Sequence, residues 1–85
     1  RFTVSLGVMP DYTYSGSGVH IDGIIDDRVA QKAGIKAGDV ITKLGDFTVT
    51  DVNSYMTALS KFKKGDATKV HIQRAKEELV FEIVF

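Results

Sequence analysis

The chain has 85 residues, room for one compact domain and not for two. Eleven Lys and Arg are matched by eleven Asp and Glu, so no basic field exists to hold phosphates and nucleic acid is not an expected partner. There is no cysteine, hence neither a disulfide framework nor thiolate chemistry, and no apolar run nears the roughly 20 residues of a membrane helix, so membrane insertion is not expected. Apolar residues make up 44%, enough for a real core, and eight glycines against one proline point to a strand-rich chain with many turns.

Phe2, Val4, Leu6 and Val8 alternate with Thr3, Ser5 and Gly7, the period of a half-buried strand interrupted by a glycine turn. Ser5-Leu6-Gly7-Val8 is also a tetrad whose successive N–H groups can converge on one anion, and such nests capture chain-terminal carboxylates. Pro10 stops or edges the strand, because it offers no N–H to a ladder. Residues 11–18 lack periodicity and read as a loop. Val19, Ile21, Gly23 and Ile25 alternate again, giving a second strand that ends at Asp26-Asp27. A short helix follows over 29–33, with Asp26-Asp27 as its default caps and Gly34 closing it in a left-handed conformation.

Val40 to Leu44 is the next strand, with Gly45-Asp46 turning into Phe47-Thr48-Val49. Thr50 is the expected cap of the main helix, along which Val52, Tyr55, Met56, Leu59 and Phe62 recur at helical spacing. Lys61, Lys63 and Lys64 are placed at its cation-favouring end, as a solvated terminus rather than an anion site. Val70 and Ile72, then Leu79, Phe81, Ile83 and Phe85, form a closing hairpin around Ala75-Lys76-Glu77. The order of elements predicts a mainly β chain with two helices: a small, partly open β-barrel or sandwich with one short and one longer helix at its ends.

Four segments then carry a resemblance that covers nearly the whole chain. Ser5-Leu6-Gly7-Val8, Gly34-Ile35-Lys36-Ala37-Gly38-Asp39-Val40-Ile41, Gly45-Asp46-Phe47-Thr48-Val49 and the helix after Thr50 together resemble a PDZ domain of the bacterial, protease-associated type. The Leu-Gly-Val-Met-Pro-Asp-Tyr opening and the Asp-Val-Asn-Ser-Tyr-Met helix are similar to the PDZ domain at the C-terminal end of bacterial zinc aminopeptidases. The resemblance implies that residues 1–85 are a single non-catalytic module excised from the C-terminal end of a longer protein, monomeric in isolation. It also implies a periplasmic or exported parent protease.

The same resemblance places the site. The amides of Leu6, Gly7 and Val8, in the loop that begins at Ser5, would hold a peptide carboxylate. The strand through Val8, Met9 and Pro10 would receive the peptide as an added neighbour. Val52, Met56 and Leu59, four then three residues apart, would form the other wall, with Tyr55 and Phe62 turned toward the core. Leu6 and Val8 would complete an apolar pocket for the last side chain. Pro10 stands where the family's residue both donates to and accepts from the peptide, so one main-chain bond is lost and weak, short-range binding is expected. Val52 at the selectivity position argues against a preference for a hydroxyl-bearing ligand residue.

The alternative reading is a structural or regulatory domain whose groove is empty or filled by its own parent chain. An enzyme in its own right ranks last: no serine sits in a nucleophile elbow, and no cofactor is called for. His20 and His71 have no helical partner at i, i+4 and read as ordinary strand residues rather than metal ligands. Asp39 reads as fixing its own turn.

Overall fold

The computed structural model describes residues 4–85, so the expected strand positions of Phe2 and Thr3 lie outside the described residues. In chain order the elements are β1 (Val8–Pro10), β2 (Val19–Ile24), α1 (Val29–Ala33), β3 (Val40–Leu44), β4 (Phe47–Thr48), α2 (Val52–Leu59), β5 (Ala67–Arg74) and β6 (Glu77–Val84). The strands form one antiparallel sheet in the order β1-β2-β3-β5-β6, with β4 paired to β3. This is the mainly β, two-helix arrangement that the periodicities predict. Strand pairing begins only at Val8, however, and the stretch from Val4 to Gly7 is irregular.

The helix starts differ from expectation for a definable reason. Asp51, not Thr50, is the N-cap of α2: its backbone is extended at φ −159, and its carboxylate accepts from the Ser54 amide at 2.7 Å. The Ser54 hydroxyl oxygen accepts in return from the Asp51 amide at 3.1 Å, closing a reciprocal capping box. The Thr50 amide also donates to that hydroxyl, at 2.8 Å. At α1 the N-cap is Arg28, with no side-chain cap, so the expected aspartate caps are absent. Instead Gln31 donates to Asp26 and accepts from the Asp27 amide. Gly34 does end α1, at φ 103, with its amide shared between the Ala30 and Gln31 carbonyls. α2 stops at Leu59, leaving Lys61, Lys63 and Lys64 beyond its last turn.

One core runs under the sheet. Leu6, Val19, Ile21, Ile41, Leu44, Val49, Val70 and Ile72 are essentially sealed from water, joined by Ala30 and Ile35 near α1 and by Tyr55, Ala58 and Leu59 of α2. Full burial of each aliphatic side chain contributes about 1.5–3 kcal/mol. At the α1 end, Asp39 is buried to 1% exposure yet charged. Its carboxylate takes a forked pair of bonds from Arg74, both at 2.8 Å, and accepts from the Lys36 amide. Arg74 also donates to the Gly34 carbonyl at 3.0 Å and lies over the Phe81 ring. The expected turn-fixing bond of Asp39 is present, and Arg74, 35 residues away, completes it.

Candidate functional site

β1 is an edge strand with one side unpaired. Val8 lies opposite Ile24 and Met9 opposite Gly23. The Gly7 carbonyl accepts from the Ile25 amide at 2.9 Å, and the Asp11 amide donates to the His20 carbonyl at 2.8 Å. Main-chain groups alternate in direction along an antiparallel pair, so residues 7, 9 and 11 turn theirs to β2 while Val8 and Pro10 turn theirs to the open edge. Val8 therefore offers a donor and an acceptor there, and Pro10 an acceptor alone. That orientation is why the register tolerates proline, for no ladder bond to β2 is lost.

Side chains alternate as well, placing Val8 and Pro10 on the α2 side of the edge. Between them and Tyr55, Met56 and Leu59 of α2 lies a cleft of about 300 Å³. Val4 and Ser5 line it beyond Val8, and Tyr12 lines it beyond Pro10. Met9 points the other way, its methyl group resting over Gly23, so its expected place in the groove is corrected by strand alternation. Leu6 is likewise corrected: its side chain is wholly buried in the core and adds nothing to the cleft wall. Val52 stands outside this cleft and lines a neighbouring one of about 340 Å³ with Tyr12, Tyr14 and Asp51. Tyr12 lines both, standing between the two clefts.

The loop before β1 is held from behind. Gly7 adopts φ +78, and a Cβ there would overlap the Arg28 side chain. Only glycine meets both demands. The Leu6 carbonyl accepts from the Ala30 amide at 2.8 Å, fastening the loop to α1. The Gly7 amide donates to the Ser5 hydroxyl at 3.1 Å. Among the described residues the Leu6 amide has no acceptor, and the Val8 amide faces the open edge. Arg28 and Lys32 flank the Ser5 side of the loop, with Glu82 across from them.

Tyr55 lies in the core, as its spacing predicts, and also lines the cleft. Its ring is only 4% exposed. Burial pushes its phenol well above the ordinary tyrosine range, with Tyr12 adding to the effect. No side-chain hydrogen bond holds its hydroxyl among the described residues, and no fully enclosed polar side-chain atom there is unpartnered. Its oxygen therefore reaches the open cleft. Tyr12, 72% exposed in an aperiodic loop, had no sequence signal at all.

His20 and His71 sit on β2 and β5 as expected of strand residues. His20 contacts the Asp11 carboxylate at 3.1 Å and stacks on Tyr14, with ring centroids 5.2 Å apart. Bonds from the Thr13 hydroxyl and amide, chiefly, hold the Asp11 carboxyl below its usual value. Among the described residues no three His, Cys, Asp or Glu side chains gather as a metal-ligand set.

An edge strand beside a helix, an apolar cleft between them and an amide-bearing glycine loop at one end define a class of protein. The PDZ domain model matches residues 4–84, and the chain belongs to that family. It is 34% identical over 67 residues to a Do-like HtrA serine protease of Lactobacillus helveticus, an alignment covering 79% of this chain and 16% of that protein. Curated relatives of this kind are thus roughly five to six times longer than the chain. An aminopeptidase N family protein of Idiomarina loihiensis superposes with a TM-score of 0.86 at 25% identity, over 98% of this chain and 14% of that one. The HtrA3 PDZ domain bound to a phage-derived ligand, FGRWV, superposes with a TM-score of 0.77 at 18% identity, over 94% of this chain and 82% of that one. PDZ domains are non-catalytic, and the curated relatives that this chain resembles are serine proteases.

Proposed function

We propose that the chain is a peptide-binding module that captures the C-terminal end of an extended segment between β1 and α2, as part of a peptidase whose substrates it recognises or whose activity it regulates. The observation that carries this is the open edge at Val8 facing an apolar cleft, with the Leu6 and Val8 amides at one end lacking acceptors among the described residues. The carboxylate binds at the Ser5–Val8 loop, drawn by those amides and by Arg28 and Lys32. The last side chain enters among Val8, Met56 and Leu59. Ligand-bound relatives such as the HtrA3 domain support the reading, and both the HtrA proteases and the aminopeptidase N family protein support a peptidase parent.

Two observations keep the grip short and favour, as a second reading, a domain whose groove is only weakly or internally filled. Pro10 withdraws a donor from the open edge, and Ser5 already occupies the Gly7 amide. Amide shifts of Leu6, Gly7 and Val8 during titration with acetyl-Ala-Ala-Val-Ala-Val, as free acid and as amide, separate the two. Saturable shifts with the free acid alone support carboxylate capture. No shift at millimolar peptide overturns it.

A further inference from the structure

The chain has no cysteine, so its two methionines carry all of its sulfur and are its readily oxidised side chains. The edge strand separates them. Met9 is 50% exposed, and its methyl group rests over Gly23, on the face of β1 turned away from the cleft. Met56 is 36% exposed in α2 and lines the cleft with Val4, Val8, Pro10 and Leu59. Its thioether is therefore open to a small oxidant and is also part of the apolar wall that would meet a bound side chain.

Hydrogen peroxide oxidises a thioether in a two-electron step. The sulfur lone pair attacks one peroxide oxygen, the O–O bond breaks as the S–O bond forms, and the other oxygen leaves as water with both protons. Sulfur is oxidised, peroxide is reduced, and an apolar side chain becomes a polar, chiral sulfoxide. In the empty cleft the new oxygen keeps its water, because Met56 is partly exposed. Once an apolar ligand side chain packs against it, that water is expelled into solvent and the oxygen faces a wall that is mostly aliphatic. The cost thus falls on the complex and not on the fold. We infer that Met56 is a modification site, at which oxidation by peroxide switches the cleft from binding to non-binding and reduction switches it back. This rests on the peptide-binding reading and adds its regulation. Met9, outside the cleft, is oxidised without consequence for binding.

The test treats folded protein with hydrogen peroxide, removes the oxidant and locates added oxygen by peptide mass mapping. Wild type, Met56→Leu and Met9→Leu are each titrated with acetyl-Ala-Ala-Val-Ala-Val before and after treatment, and thermal unfolding follows stability. Both methionines of the wild type should gain one oxygen. Wild type and Met9→Leu should then bind about tenfold more weakly, the scale of one polar group buried without a partner, with unfolding temperature little changed. Met56→Leu should bind equally before and after. Methionine sulfoxide reductases for both epimers should restore wild-type affinity. The assignment is overturned if Met56 of the folded protein resists peroxide, if its sulfoxide binds as tightly as the thioether, or if Met56→Leu loses as much affinity on treatment. A parallel fall in unfolding temperature also overturns it, by assigning the loss to the fold. If the untreated wild type does not bind, the peptide reading itself falls, and this assignment with it.

Discussion

The α1 end of the molecule and the β1–α2 edge treat polar groups in opposite ways. Around Asp39 every bond is spoken for: both carboxylate oxygens take the Arg74 fork, the Lys36 amide is used, and Arg74 turns its remaining reach to the Gly34 carbonyl. At the other end the Leu6 amide, the outward groups of Val8 and the Tyr55 hydroxyl have no protein partner among the described residues. These groups lie open to solvent rather than enclosed, so they cost the fold little and stay available to a bound segment, as the proposed peptide reading requires. The saturated end is architecture, and the unsaturated end is the proposed site.

That contrast breaks most visibly at Asp39. Removing its carboxylate in Asp39→Ala strands the Arg74 guanidinium and should cost about 3 kcal/mol in urea unfolding, toward the lower end for a buried pair because Arg74 is partly solvated. Peptide affinity of the folded fraction should not move; a parallel loss would merge the two regions. Burial acts to raise the Asp39 carboxyl, but the bonds from Arg74 and the Lys36 amide outweigh it and hold the group below its ordinary value. The unfolded chain then binds more protons as acid is added. The contribution is complete above about pH 4 and is lost as pH falls through the folded value. Asp39→Asn should flatten that part of the pH–stability curve.

The next largest effect is expected at Gly7, where structure and site meet. Gly7→Ala forces a side chain into a left-handed backbone against Arg28, a strain of about 1–3 kcal/mol. Unfolding curves should show that loss, and amide shifts should show that the free-acid peptide no longer binds. Retained binding at full stability would separate the loop's shape from its role. Pro10→Val restores one outward donor and should tighten peptide binding several-fold, about 1 kcal/mol, with stability little changed. Unchanged affinity would mean that the missing donor is not the limitation. Smallest is Met56→Ala, a side chain at 36% exposure: stability should drop by under about 1 kcal/mol, while calorimetry should show weaker binding of ligands with a large apolar last residue.

Much of this contrast was legible in the residues. The tetrad at Ser5, the Gly34 cap, the alternation of β2, β3, β5 and β6 and the stripe of α2 are local signals, and each element appears where its signal lies. The site was legible only as far as local signals reach. The tetrad puts the Leu6 side chain in the expected pocket and the receiving strand puts Met9 in the expected groove, yet the Leu6 side chain is drawn into the core and Met9 alternates onto the far face. Tyr55 is core, as its apolar spacing says, but that spacing gave no sign that the residue also lines the cleft. Asp39 announced its turn, but Arg74, 35 residues on, left no trace in the local pattern.

The sequence by itself determined the elements, the family and the shortage of a donor at Pro10, because backbone preference and periodicity act over a few residues. Only the tertiary structure decided which atoms remain unpaired beside the cleft. Whether a hydroxyl or an amide finds a partner depends on what distant strands and helices bring within about 3 Å of it.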